Sequence, residues 1–113
     1  MNPKVKKLWV EALRSGKYEQ GYNGLRTNDN KFCCLGVLCD IHRKTMKKKG
    51  WRLDGLPDTY FYGDSCGSLP SNVIEWSGVD NYNPTIKGNS LIFWNDNIRY
   101  SFDKIADLIE KEL

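Results

Sequence analysis

The chain has 113 residues, which suffices for one domain with its own apolar core, and its 40% hydrophobic and 12% aromatic content excludes extensive disorder. No apolar run approaches the roughly 20 residues needed to cross a bilayer, and charges interrupt the apolar part of the N-terminus, so neither a membrane span nor a cleaved signal peptide is expected. The net charge of +3 is uneven, because residues 1–56 hold 13 Lys/Arg and 5 Asp/Glu whereas residues 57–113 hold 4 and 9. Either the two halves neutralise each other on folding, or the basic half presents a surface to an anion.

The first helix is indicated by a start signal, a buried stripe and a stop signal. Asn2 is a favourable N-cap residue, and Pro3 suits the first helical position. Ser15-Gly16 is predicted to end the helix. The glycines and asparagines of residues 17–31 then favour an extended stretch, with a loose hairpin that turns at residues 28–30. Apolar residues recur at helical spacing before that stop: Val5, Leu8, Trp9, Ala12 and Leu13.

A second helix is predicted from about Cys33 to about Lys48. Its first half lies in the stretch FCCLGVLCD and is apolar on almost every side, so we expect it at the centre of the domain. Its second half is basic, which suits the negative pole of the helix dipole, and Gly50 is the predicted stop.

Irregular segments and short elements alternate in the rest of the chain. Residues 51–69 and 79–89 are predicted to be irregular, and Pro70 is predicted in the first turn of a short helix that Gly78 closes. We predict an apolar strand at residues 91–94, followed by a turn at 95–97 and a returning strand through Ile98 and Tyr100.

Ser101 is the predicted cap of a last helix, whose buried face carries Phe102, Ile105, Ala106, Ile109 and Leu113. The predicted fold class is therefore α+β, with about four helices packed with a small antiparallel sheet in a single domain over residues 1–113.

Three of the four cysteines fall within FCCLGVLCD. A structural zinc site takes four ligands, usually as two separated pairs, whereas the adjacent Cys33 and Cys34 point about 100° apart on a helix. A catalytic thiolate needs a base and access, and the single histidine, His42, follows Cys39 by three residues on the same apolar helix. We expect no metal and no cofactor, and interpret these cysteines as core residues, with Gly36 admitting a neighbouring segment.

A ligand site is expected in the polar, aromatic and basic residues outside the predicted core. Arginine offers a fork for phosphate, tyrosine a stacking face, and amide and carboxylate groups can bind the polar edges of a base or ribose. Each position also has a structural interpretation in turn formation or partial burial. The predicted ligand-binding residues are Arg14, Lys17, Tyr18, Gln20, Tyr22, Arg26, Asn95 and Asp96.

The segments LRSGKYEQ, GLRTNDNKFCCLGVLCD, LPSNVIEW and WNDN, followed by SFDKIADLIE, together resemble a widespread group of small bacteriophage-encoded proteins. That group shares a core phrase close to LRSGKY-Q…FCCLGVLCD, and the resemblance covers most of the chain, although residues 43–67 depart from it. It implies a phage origin and a location in the host cytoplasm. The group mostly lacks an assigned activity, so the resemblance supplies no catalytic residues.

Three functional hypotheses follow. Small phage proteins that are neither virion components nor replication enzymes frequently counter host defence. The first hypothesis is therefore an accessory protein that binds and sequesters a nucleotide-derived signalling molecule without catalysis, as a single chain or a homo-oligomer. The second is inhibition of a host defence protein through exposed aromatic residues at 60–62. The third, ranked last, is a small hydrolase or transferase using Cys34 or Asp96. Membrane binding is not expected, and nucleic-acid binding is not favoured, since the basic stretch RKTMKKKGWR carries no recognised reader motif.

Overall fold

The first and last helices pack against each other in the computed structural model, which describes residues 1–53 and 59–113. Helix α1 spans Pro3–Arg14, and its N-cap Asn2 accepts hydrogen bonds from the Lys4 and Val5 amides, as predicted. The last helix, Phe102–Glu112, begins after Ser101, whose hydroxyl accepts a hydrogen bond from the Lys104 amide. The two helices therefore meet in one core, but the prediction of a buried Leu8 is wrong: Leu8 is 44% exposed, whereas Val10, which was not in the predicted stripe, is buried.

Helix α2 spans Cys34–Met46 and is central, because every residue from Cys34 to His42 is buried. The interpretation of Gly36 is confirmed: a β-carbon there would lie 1.8 Å from the Leu25 carbonyl oxygen, closer than any contact allows. The helix ends two residues earlier than predicted. The cap is Lys47 in the left-handed conformation, with φ of 55°.

Helix α3, Ser71–Ser77, follows Pro70 and ends at Gly78, whose φ of 73° is left-handed, as predicted. No helix among residues 1–53 and 59–113 is both long and apolar enough to cross a membrane.

The predicted strand at residues 91–94 is wrong. Helix α4, Leu91–Phe93, runs directly into a π-helix at Trp94–Ile98, so the predicted turn at 95–97 and the returning strand are wrong as well. The physical reason is local: the Ser90 hydroxyl accepts a hydrogen bond from the Phe93 amide and starts a helix. A four-residue apolar run does not distinguish a buried strand from a buried helical turn.

Six two-residue strands form three separate pairs in the described part of the chain. Strand β1 (Glu19–Gln20) runs parallel to β2 (Lys31–Phe32), whereas β3 (Trp51–Arg52) with β4 (Phe61–Tyr62), and β5 (Thr85–Ile86) with β6 (Asn89–Ser90), are antiparallel. With the last helix numbered α5, the α+β fold class is confirmed.

Two of these pairs fall in segments that were predicted to be irregular. Strands β5 and β6 are joined by Lys87 and Gly88, both with positive φ, a two-residue hairpin that the Lys-Gly sequence announces only weakly. Residues 54–58, part of the predicted irregular segment 51–69, lie outside the described residues. The hairpin expected near residues 28–30 is present as a turn closed by an antiparallel bridge between Arg26 and Phe32.

Candidate functional site

The eight predicted ligand residues lie in different environments, and the most deeply buried of them is Asn95. Its side-chain oxygen accepts hydrogen bonds from the Cys34 amide at 3.2 Å and from Gln20 Nε2 at 3.0 Å. Its side-chain nitrogen donates to the Gly21 carbonyl at 2.9 Å and to Asp96 Oδ1 at 2.8 Å. We call these groups the Asn95 network; the Asn95 amide has all four of its bonding capacities filled by protein.

Gln20 is similarly occupied. Besides Asn95, its Nε2 donates to the Tyr100 carbonyl at 2.8 Å, so both amide hydrogens have acceptors inside the protein. The network ties β1, the start of α2 and the π-helix together, and its three predicted ligand residues hold the fold in contacts that a ligand would have to break.

Arg14 lies on the outer face of α1 and binds Asp107 at 2.6 Å and Glu110 at 3.1 Å, both on α5. It lines a groove of about 350 Å³ between the two helices. The hydrogen bonds that Arg14 donates to Glu110 and to Asp107 raise the pKa of Arg14 above its ordinary value, and the two carboxylates offset its charge.

Tyr22 and Arg26 each take part in a cation–aromatic contact. The Arg99 guanidinium lies 4.3 Å from the ring centre of Tyr22. The Arg26 guanidinium lies 4.1 Å from the ring centre of Tyr60 and within 5.5 Å of those of Phe32 and Trp51. Arg26 Nε is buried and makes no hydrogen bond with residues 1–53 or 59–113. The rings around it and the backbone hydrogen bond from the Tyr60 amide to the Arg26 carbonyl make this a packed junction.

Lys17 and Tyr18 lie on an open groove of about 460 Å³ between α1 and α2, which we call the Lys17 groove. Its α1 wall consists of residues spaced three and four apart, which share one helix face: Leu8, Glu11, Ala12 and Ser15. The facing wall comes from α2 by the same spacing: Ile41, Lys44 and Thr45. The floor thus has apolar character, the rim has hydroxyls and charges, and the volume is in the range of small-molecule sites.

Tyr18 is held in the groove by Asp40, a buried carboxylate on α2. Tyr18 Oη donates to Asp40 Oδ2 at 2.6 Å, and Arg43 Nε and Trp51 Nε1 donate to Oδ1 at 2.7 and 3.0 Å. Burial alone would raise the pKa of Asp40, but the hydrogen bonds from Arg43, Tyr18 and Trp51 outweigh it and hold the pKa below its usual range. Burial and the bond to Asp40 raise the pKa of Tyr18, so its hydroxyl stays protonated and faces Asp40.

The Tyr18 ring has a lysine and a phenylalanine as neighbours. Lys44 Nζ lies 3.1 Å from Tyr18 Oη and 5.2 Å from the ring centre. Phe32 meets the ring at 87° with centroids 5.1 Å apart, an edge-type contact. The ring is therefore fixed in orientation at the groove.

The Tyr18 end of the groove is electropositive even after its helix dipoles are counted. Trp9 Nε1 bonds the Cys34 carbonyl near the start of α2, and Tyr18 bonds Asp40 further along it, so the C-terminal ends of both helices lie toward Tyr18. Those two ends contribute about −0.5 charge each and Asp40 contributes −1. Lys17 and Lys44 line the groove and Arg43 pairs with Asp40, so these three cations exceed the negative charges by about one.

Asp40 was not among the predicted site residues. A signal was present in the sequence, since an acid follows an uninterrupted apolar stretch and has Arg43 and Lys44 three and four residues later, on its own helix face. Its partners Tyr18 and Trp51 lie in other segments of the chain, so no local sequence pattern predicts their contacts with Asp40.

The cysteine interpretation is supported by burial. Cys33, Cys34 and Cys39 are at most 3% exposed, and burial raises the pKa of Cys33 to about 12 and that of the other two well above the ordinary thiol value. His42 is also buried; its Nδ1 lies 2.6 Å from Tyr62 Oη, and burial, with the charge of Lys48, lowers its pKa. These groups do not form an accessible thiolate–imidazole pair.

One aromatic residue of the host-protein hypothesis is not on the surface. Tyr62 is 2% exposed and belongs to the core, so the prediction of an exposed aromatic cluster at residues 60–62 is wrong at that position. Tyr60 and Phe61 are half-buried.

Comparison with known proteins finds one family. No curated protein and no solved structure matches the chain. The sequence model of a family described as "Domain of unknown function (DUF8296)" matches residues 1–113. The chain therefore belongs to the DUF8296 family over its whole 113-residue length.

Proposed function

We propose that this protein is a phage accessory protein of the anti-defence type, which binds and sequesters a nucleotide-derived signalling molecule in the Lys17 groove without chemical change. The observation that carries the proposal is the combination of an apolar floor with a surplus of cations at one end of a groove of about 460 Å³. A nucleotide has the complementary division into a planar apolar ring and a phosphate.

In the proposed complex, Lys17 and Lys44 bind the phosphate and the Tyr18 ring packs against the base. Lys17 makes no ion pair with any residue in 1–53 or 59–113, so its charge is available to a ligand. Lys44 is shared with Asp40 at 3.6 Å and contributes less. Leu8, which is 44% exposed on the groove wall, loses contact with water when the ligand binds.

Binding rather than catalysis is favoured by the chemistry of the groove. Tyr18 donates a hydrogen bond to Asp40 and is held in the neutral form, and the groove lining among the described residues includes neither cysteine nor histidine. The ring and the ammonium groups are suited to holding a ligand in place.

The phage origin and the host-cytoplasmic location rest on the sequence resemblance. A groove lined by two lysines fits the sequestration of an anionic signal, which requires affinity and not turnover.

The experiment is thermal unfolding of the purified protein with a panel of linear and cyclic nucleotides and ADP-ribose, followed by heat release and chromatography of each ligand that binds. We expect at least one nucleotide to raise the midpoint temperature of unfolding in a concentration-dependent way, because a ligand that binds only the folded state stabilises it. That nucleotide should be recovered chemically intact. The rise should be reduced in Lys17→Ala and retained in Lys111→Ala, a control lysine on α5 outside the groove.

The other outcomes separate the alternatives. Recovery of an altered nucleotide would replace sequestration by catalysis. No shift with any member of the panel would overturn the proposal and leave inhibition of a host defence protein, for which capture of a defined partner from host lysate is the test.

A further inference from the structure

Among the described residues, the Lys17 groove is lined by one carboxylate, Glu11, and its position divides the groove into two chemically different ends. Glu11 lies on the α1 wall, and in the described ranges 1–53 and 59–113 it makes neither an ion pair nor a side-chain hydrogen bond. Its acceptor oxygens are open to a ligand. The meaning of this carboxylate rests on the nucleotide binding proposed above.

Glu11 is displaced along the helix from the cationic end. Ser15, the next groove residue on the same face, is four residues further on, or ~6 Å along the axis. Lys17 and Tyr18 follow Ser15 beyond the end of α1, and Tyr18 bonds Asp40 across to α2. A ligand lying in the groove with an anionic group at Lys17 therefore has another part beside Glu11.

We propose that Glu11 is a specificity-determining residue, which accepts hydrogen bonds from the 2′- and 3′-hydroxyls of a ribose whose 5′-phosphate is bound by Lys17 and Lys44. The ligand is then a 5′-ribonucleotide with a free diol. Nucleotides that carry a phosphodiester on a ribose hydroxyl, which include 3′,5′-cyclic forms, are rejected.

The selection follows from charge. A carboxylate accepting from neutral hydroxyls makes charge-assisted hydrogen bonds, and acidic side chains bind ribose diols in this way at nucleotide sites. The same carboxylate beside a phosphodiester places two negative charges together, a repulsive element against the wrong ligand. An unpaired glutamate among lysines would weaken a site for simple polyanions, so its presence favours a ligand that is anionic at only one end.

The test is calorimetric titration of wild-type and Glu11→Gln protein with adenosine 5′-monophosphate, its 2′,3′-dideoxy analogue and 3′,5′-cyclic AMP, repeated with guanosine, cytidine and uridine forms. For the base that binds, we expect the wild type to lose about tenfold in affinity when the diol is absent, which corresponds to about 1.4 kcal/mol, because the charge-assisted hydrogen bonds to Glu11 are then lost. Glu11→Gln should lose a similar factor with the ribonucleotide, lose nothing with the dideoxy analogue and bind the cyclic form more tightly than wild type.

The non-additive pattern is the decisive result, because it shows that Glu11 and the diol act on each other. Equal weakening of all three ligands by Glu11→Gln, or no weakening, would overturn the role of Glu11 while leaving nucleotide binding in place. Absence of binding to every nucleotide by the wild type would overturn both proposals. Glu75→Gln, an exposed change on α3 outside the groove, should match wild type throughout.

Discussion

The Asn95 network and the Lys17 groove both contain predicted ligand-binding residues, but the side chains of the network are bound to protein partners whereas Lys17 in the groove makes no side-chain hydrogen bond or ion pair within the described residues. Asn95 is fully buried, and its side-chain amide makes four hydrogen bonds, to Cys34, Gln20, Gly21 and Asp96. Lys17 is exposed, and its side-chain ammonium has no partner in the described part of the chain. This difference indicates that a polar side chain marks a ligand site when its hydrogen-bond donors or acceptors have no partner in the protein. Changes in the network should therefore cost stability, and changes in the groove should cost binding.

Asn95→Ala is expected to have the largest effect, a loss of about 3 kcal/mol in the free energy of unfolding. It leaves the Cys34 amide and the Gly21 carbonyl without their partner inside the protein, and each unsatisfied buried group costs about 1–3 kcal/mol. Urea denaturation measures the loss. Asn97→Ala, an exposed change on the same π-helix, should stay within about 0.5 kcal/mol of wild type, and equal losses in the two variants would contradict the role of the network.

Asp40→Asn is expected to lose about 2 kcal/mol, because Arg43, Tyr18 and Trp51 all donate to this buried carboxylate. Its folded pKa lies below its unfolded value of about 3.9, so its contribution is present above that pH and is lost as the pH falls through the folded pKa. The stability difference between wild type and variant should therefore shrink below about pH 4. Asp80→Asn, on the exposed surface, should show no such dependence, and a gap that widens in acid would refute the linkage.

Lys17→Ala is expected to lower nucleotide affinity about tenfold, which corresponds to 1.4 kcal/mol of binding free energy. The unfolding free energy should be unchanged, because the lysine is exposed and unpaired within the described ranges. Titration calorimetry with the nucleotide that gives the largest thermal shift measures the loss, with Lys111→Ala as its matched control. A stability loss without an affinity loss would reverse the assignment of Lys17.

Arg14→Ala is expected to have the smallest effect. Its ion pairs with Asp107 and Glu110 are at the surface, where salt screens them, so any loss of stability at low ionic strength should vanish in high salt. Nucleotide affinity should not change, since Arg14 does not line the Lys17 groove. A tenfold affinity loss would instead restore Arg14 to the phosphate-binding role suggested by its sequence.

Helices with paired start and stop signals were predictable from the sequence. The start of α1 is predicted by Asn2 with Pro3, and the start of α5 by Ser101 with an acidic residue two positions later. These signals can be read from the sequence because caps and helical spacing are local properties. Residues 91–98 were not predictable in this way: their burial depends on distant segments, including Cys34, whose Sγ donates to the Leu91 carbonyl, and a short apolar run fits either helix or strand.

Site residues were predictable by type and not by position. Lys17 and Tyr18 lie together because they are adjacent in the chain, but Asp40 and Trp51 join Tyr18 only through tertiary packing. Asn95 looked like a turn residue because asparagine favours turns, whereas its buried amide replaces backbone hydrogen bonds between segments that are 61 and 74 residues apart.

The most direct test of the difference between the two regions is a ¹H–¹⁵N correlation titration of uniformly labelled protein with adenosine 5′-monophosphate or the nucleotide that gives the largest thermal shift. The predicted result is that the amide resonances of residues 8–18, which include the end of α1 and the segment after it, and of residues 41–45 on α2 shift most. The amide resonances of Gly21, Cys34 and Asn95 should shift little. Shifts centred on the Asn95 network, or no shift at saturating nucleotide, would contradict the assignment of the Lys17 groove as the ligand site.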